Sequence, residues 1–123
     1  MLREDKNWSL IKDYKKGEFC FLIRVNNWAI ELKENEFYSL YLLLIRLNKQ
    51  FLEIKKELMD EEFVTLEIGK LPWYIELEGK KKEWNLRLVF ESQEQTRSFE
   101  MYWPIPIAQN LFNEIIKMWE SMD

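Results

Sequence analysis

The sequence predicts an α+β domain with a pseudo-duplicated strands-helix, strands-helix arrangement, antiparallel sheets and two packed helices. Three observations predict it. The hydrophobic period changes from two to three or four, returns to two and lengthens once more along the chain. Only three Gly and three Pro occur among 123 residues, which places most of the chain in regular elements with short connections. Apolar residues make up 47% and aromatics 15%, enough for one core over residues 1–123 without metal or disulfide, with halves of about 1–62 and 63–123.

Three strands are expected first, over Trp8 to Tyr14, Phe19 to Val25 and Trp28 to Leu32. In the second, Phe19, Phe21, Ile23 and Val25 alternate with Cys20, Leu22 and Arg24; in the third, Trp28, Ile30 and Leu32 alternate with Ala29 and Glu31. Lys15-Lys16-Gly17 and Asn26-Asn27 supply turns, so the three read as a small antiparallel sheet.

From about Glu34 the period lengthens. Phe37, Leu40, Leu44, Leu47, Phe51, Ile54 and Leu58 form one face of a helix expected to end near Met59 or Asp60. Tyr41 and Leu43 widen that face, and Leu42 and Ile45 make its first half apolar nearly all round. Such a helix is roughly 38 Å long at about 1.5 Å per residue, more than a compact sheet needs, so a second copy of the chain is expected against it, as a homodimer.

Four strands follow, over Phe63 to Ile68, Trp73 to Glu78, Trp84 to Phe90 and Arg97 to Trp103, with turns at Gly69-Lys70-Leu71-Pro72 and Gly79-Lys80-Lys81-Lys82. Large apolar side chains fall on one face, with Glu76, Glu78, Asn85 and Arg87 on the other, so one face is core and one is wet. After Pro104 and Pro106 a last helix carries Ile107, Leu111, Ile115, Met118, Trp119 and Met122 on one stripe.

The two helix entries match at an offset of 75 residues, the separation of Trp28 and Trp103. Ile30 then falls on Ile105, Leu32 on Ile107, Asn35 on Asn110, Phe37 on Phe112, Leu40 on Ile115 and Leu43 on Met118. The match predicts two strand-helix modules related by a pseudo-twofold, each too small to bury its own face.

Composition excludes several functions. There is no histidine, which removes Ser-His and Cys-His nucleophile systems and His-containing metal sites. No serine has a base of the usual kind beside it in the sequence, no carboxylate pair stands out and no Gly-rich phosphate loop occurs, so neither an enzyme nor a cofactor is expected. The lone Cys20 predicts a buried thiol in a reducing cytoplasm. Met1 to Asn7 lacks an apolar signal region and Leu42 to Ile45 is the longest apolar run, so no membrane association is expected. A net charge of −4 opposes strong nonspecific nucleic-acid binding.

Several stretches resemble a cyanobacterial family known as domain of unknown function 1818. They are Leu2-Arg3-Glu4 followed by Trp8, Trp28-Ala29-Ile30-Glu31-Leu32 leading to Glu36-Phe37, Glu57-Leu58-Met59-Asp60-Glu61-Glu62, Leu71-Pro72-Trp73 through Glu76-Leu77-Glu78-Gly79, Leu86-Arg87-Leu88 and Trp103-Pro104. Members look like the Whirly and positive-cofactor-four class of single-stranded-DNA-binding transcriptional regulators. The resemblance implies that fold, and by analogy binding of single-stranded nucleic acid. Phosphate contacts would then fall to Lys80, Lys81, Lys82, Arg87 and Arg97, and base stacking to Tyr74 and Tyr102. The sequence departs from the DNA-binding relatives in its wet faces, which carry Glu67, Glu76, Glu78, Glu91 and Glu100 among Arg24, Arg87 and Arg97.

Two features are weighed on their residues. Lys80-Lys81-Lys82 and the group Lys12, Lys15 and Lys16 lie in turns, and with Tyr74, Tyr102, Trp84 or Trp8 exposed they would suit a single strand. Lysines that decorate turns for solubility, with tryptophans in the core, are the simpler reading. Asp60-Glu61-Glu62 opposes the negative end of the first helix dipole. Either the helix stops earlier or the carboxylates meet a partner, such as Arg46 of another subunit; a hard cation such as Mg²⁺ ranks below both. With its acidic faces, the chain is alternatively a protein-interaction module for a basic protein partner.

Overall fold

In the computed structural model, which describes residues 1–122, the chain runs through four strands and a helix, twice. The first sheet holds β1 (Leu2–Asp5), β2 (Trp8–Lys12), β3 (Phe21–Val25) and β4 (Trp28–Leu32), and is followed by α1 (Glu34–Lys55). The second holds β5 (Val64–Lys70), β6 (Trp73–Gly79), β7 (Trp84–Glu91) and β8 (Ser98–Trp103), and is followed by α2 (Ile107–Glu120). Both sheets are antiparallel meanders in chain order, so β1 and β4 are the edges of one, and β5 and β8 of the other. This is the α+β arrangement that the periodicity predicts.

One strand was not foreseen from the periodicity, although the resembled class has four strands in each module. β1 pairs with β2 from Leu2↔Ile11 to Asp5↔Trp8, yet its sequence Leu-Arg-Glu-Asp has one apolar residue and no alternation. Exposed edge strands have no buried face to impose a pattern. The expected first strand ends at Lys12, where Asp13 accepts from the Lys15 amide at 3.0 Å and starts a single 3₁₀ turn that Gly17 closes at φ 82°. The β5–β6 hairpin is tighter than expected, because Lys70 still pairs with Trp73.

The helix α1 stops at Lys55, short of Asp60, so at 22 residues it is about 33 Å long. Its inner stripe buries Phe37, Leu40, Leu43, Leu44, Leu47 and Phe51, while Tyr38, Leu42 and Leu52 are exposed on other sides. α1 packs on α2, β5 and β6, whereas α2 packs on β2 and β7. Each helix therefore reaches the sheet of the other half, and one continuous apolar cluster includes residues of both sheets and both helices. Phe21 of β3 stacks on Phe37 of α1 with ring centroids 4.0 Å apart. Trp84 of β7 meets Phe51 of α1 and Phe112 of α2 edge-on, at 5.9 and 5.4 Å. Cys20 is buried, and burial pushes its thiol pKa up.

The offset of 75 holds along the helices and fails in the strands. Phe37 and Phe112, Leu40 and Ile115, and Leu43 and Met118 are all buried at matching helix positions. Trp28, however, opens β4 with 74% of its surface exposed, whereas Trp103 closes β8 with 0% exposed. The residue equivalent to Trp103 at the end of β4 is Leu32, also 0% exposed. The longer connection Pro104-Ile105-Pro106 before α2, against Lys33 alone before α1, absorbs part of the difference. No helix is long and apolar enough to cross a membrane among the described residues.

Candidate functional site

Strand pairing collects the charge of the second half on one surface. Across β5, β6, β7 and β8 the registers Glu67↔Glu76↔Arg87↔Tyr102 and Val89↔Glu100 put these side chains on the outer face, opposite the buried Ile75, Leu77, Leu86 and Leu88. Glu78 and Glu91 share that face by alternation. Five carboxylates therefore share this face with a single guanidinium.

Arg87 is paired with two of them. Its Nη1 donates to Glu100 at 3.0 Å, its Nη2 lies 3.6 Å from Glu76, and its guanidinium sits 5.8 Å from the centre of the Tyr74 ring. The hydrogen bond to Glu100, with the nearby Glu76 carboxylate, raises its already high pKa. A hydrogen bond with Glu76, then desolvation and repulsion, raises the Glu78 carboxyl above its ordinary value. The Tyr74 phenol is raised by burial and by its hydrogen bond with Glu67. Its ring lies against Gly69 of β5, where a Cβ would stand 3.4 Å from Tyr74 Cδ2, an ordinary van der Waals contact.

Arg97 lies elsewhere and has another task. It precedes β8 and grips Glu36 of α1 through two hydrogen bonds of 2.9 and 2.8 Å, while Nη2 also donates to the Glu31 carbonyl at 3.2 Å. Phe19 and Phe90 flank its guanidinium at 4.7 and 5.2 Å. The buried Glu36 accepts as well from the Lys33 amide at 2.9 Å, and its carbonyl accepts from Trp73 Nε1 at 2.9 Å. This cluster joins the two sheets to the start of α1, so Arg97 is a structural clamp and not a free phosphate contact. Sequence reasoning passed over Glu36; its signal is a glutamate three residues beyond the helix N-cap, where it can reach back to the cap amide.

The remaining candidates separate into two places. Lys80, Lys81 and Lys82 occupy the β6–β7 turn, where the Lys80 amide donates to the Glu83 carbonyl at 2.7 Å and Lys80 Nζ pairs with Glu61 at 2.8 Å. That pair raises the lysine pKa and lowers the glutamate one. Asp60, Glu61 and Glu62 lie beyond the end of α1, which removes the conflict with its dipole. Glu62 accepts from the Met59 amide at 3.2 Å and Glu61 takes Lys80. The helix thus stops earlier than Asp60, as the first alternative has it. Tyr102 is 56% exposed on β8, whereas Trp8 and Trp84 are buried and offer no stacking platform.

Tyr102 and Trp28 line the same cleft. It runs between the edge strands β4 and β8, with Val25, Trp28, Met101 and Tyr102 at one end and Phe19, Ile30, Arg97 and Phe99 at the other. The offset matches Trp28 to the buried Trp103; as the first residue of an edge strand, Trp28 has no neighbouring strand on its outer side to cover it.

Residues 3–118 match the family model described as "Domain of unknown function (DUF1818)". A crystal structure from Prochlorococcus sp. NATL2A, described as a protein with unknown function from the DUF155 family, is 35% identical and superposes with a TM-score of 0.88, covering 97% of this chain and 98% of that chain. No curated protein matches the chain.

Proposed function

The chain belongs to the DUF1818 family, a domain of unknown function, and from that premise we propose that it is a protein-interaction module whose acidic sheet face binds a basic partner protein. One observation carries this reading: the outer face of the second sheet presents Glu67, Glu76, Glu78, Glu91 and Glu100 together with Arg87, which Glu76 and Glu100 already pair. Such a surface attracts cations and repels phosphates. It also raises encounter rates with a basic protein more than it raises affinity.

A second reading, binding of single-stranded nucleic acid in transcriptional regulation, draws on the likeness to the Whirly and positive-cofactor-four class. Exposed Tyr102 favours it, as do Lys81 and Lys82, which form no ion pair among the described residues. Against it stand the carboxylates on Arg87, Arg97 and Lys80.

The two readings part in one titration, by fluorescence anisotropy at low salt, of a lysine-rich peptide and a short single-stranded oligonucleotide. Peptide binding that weakens with salt, and by about tenfold or more in Glu76→Lys/Glu100→Lys, is the expected result. Oligonucleotide binding lost on neutralising Lys80, Lys81 and Lys82, with no peptide binding, would overturn it.

A further inference from the structure

The free edges of β4 and β8 face one cleft, and strand parity settles which groups point into it. The Ser92 amide donates to the Arg97 carbonyl at 2.8 Å, so the hydrogen-bonded pairs of the β7–β8 ladder are Phe90–Phe99, Leu88–Met101 and Leu86–Trp103. The amides and carbonyls of Ser98, Glu100 and Tyr102 consequently turn away from β7. Across the cleft the Asn26 amide donates to the Asn7 carbonyl at 2.8 Å, and the same alternation turns the backbone groups of Ala29 and Glu31 away from β3. Among the described residues none of these groups has a backbone partner, and Arg97 takes the Glu31 carbonyl. The Ile30–Phe99 end of the cleft has a volume of about 600 Å³ and the Trp28–Tyr102 end about 280 Å³.

An edge that presents unpaired donors and acceptors beside apolar pockets is a template for an added strand. Resting on the protein-partner reading above, we infer that β8 accepts an extended segment of the partner as a fifth strand of the second sheet, and that this segment alternates basic and bulky apolar side chains. The alternation follows from the pleat. Guest side chains beside Ser98, Glu100 and Tyr102 share the outer, acidic face, and those beside Phe99 and Met101 turn inward towards Ile30. Exposed Trp28 stands at the mouth to cover the inward side chain nearest Tyr102. A second copy of β8 suits the edge poorly, because antiparallel pairing about Glu100 sets like charges directly opposite.

The test is a synthetic peptide of alternating lysine and valine, compared with the same peptide N-methylated on every edge-facing amide, which keeps charge and side chains but cannot pair. Binding is followed by amide hydrogen exchange and chemical shifts of the folded chain. The expected result is slowed exchange at Ser98, Glu100 and Tyr102 with the first peptide, and about tenfold weaker binding or less with the second. Equal binding of both peptides, with no protection on β8, would overturn strand addition while leaving the acidic-face reading standing. No binding of either peptide would remove both. Comparing Glu100→Gln with Glu100→Pro separates charge from the edge amide: strand addition requires the proline variant to bind more weakly, and equal binding by the two folded variants counts against it.

Discussion

The guanidinium of Arg97 and the carboxylate of Glu36 face each other in a two-point hydrogen bond, 61 residues apart in sequence, where β8, the end of β4 and the first turn of α1 converge. The glutamate side chain is 7% exposed and the arginine 27%, so the pair is mostly shielded from water. Its importance lies in what is left when one member goes, since a buried carboxylate without its counter-charge is costly.

Arg97→Ala is accordingly expected to lower stability by about 2 to 3 kcal/mol, less than a fully buried pair because the arginine is partly solvated. Arg97→Lys should restore only part of that loss, since an ammonium cannot make the parallel bonds. Urea unfolding of the two variants checks this; an alanine variant as stable as the parent would make the clamp irrelevant.

Trp28 and Trp103, equivalent by sequence offset, should behave oppositely. Trp103→Ala removes a fully buried indole and is expected to cost about 3 to 5 kcal/mol, whereas Trp28→Ala should stay within about 0.5 kcal/mol of the parent. Thermal melts decide the matter, and comparable losses at both positions would contradict the placement of Trp28 at the cleft.

Glu78 supplies a pH dependence. Its folded-state pKa is raised, mainly by the hydrogen bond with Glu76, so the stabilising contribution is complete below the ordinary carboxylate value of about 4.3 and disappears as pH rises through the higher folded value. Ionising Glu78 gives up that hydrogen bond and sets its charge against Glu76. Glu78→Gln should therefore raise the melting temperature slightly at neutral pH and lose that advantage in acid. A benefit that instead grew as pH fell would reverse the sign.

Gly79 closes β6 at φ 152°, and a Cβ there would overlap the Glu83 carbonyl oxygen and Trp84. Gly17, at φ 82°, has open space around it. Gly17→Ala is thus expected to cost about 1 to 3 kcal/mol from backbone conformation alone, and Gly79→Ala more than that. Denaturant midpoints of the two variants rank them, and a cheaper Gly79→Ala would mean that the turn relaxes freely.

Homodimer formation through α1 is tested on Leu42, 41% exposed beside Tyr38 on the outer side of the helix. Sedimentation should give twice the 15.3 kDa chain mass for the parent and a single chain for Leu42→Glu. A parent chain that sediments alone removes the dimer.

Local pattern determined most of the architecture. Alternation in Trp73–Gly79 and Trp84–Glu91, and the three-to-four spacing from Phe37 to Phe51, each follow from one buried face, and burial is written into the residues that must fill it. Only the tertiary structure decided the rest. β1 has no buried face and left no pattern; α1 ended at Lys55 although Leu58 continued its stripe; and the matching helices concealed strand ends displaced by the connection before α2. The fate of the charges was likewise a matter of distance across the fold. Arg87 and Arg97 read alike along the chain, yet one lies among carboxylates of neighbouring strands and the other reaches a glutamate of α1, because an ion pair is fixed by proximity in space and sequence order carries no measure of it.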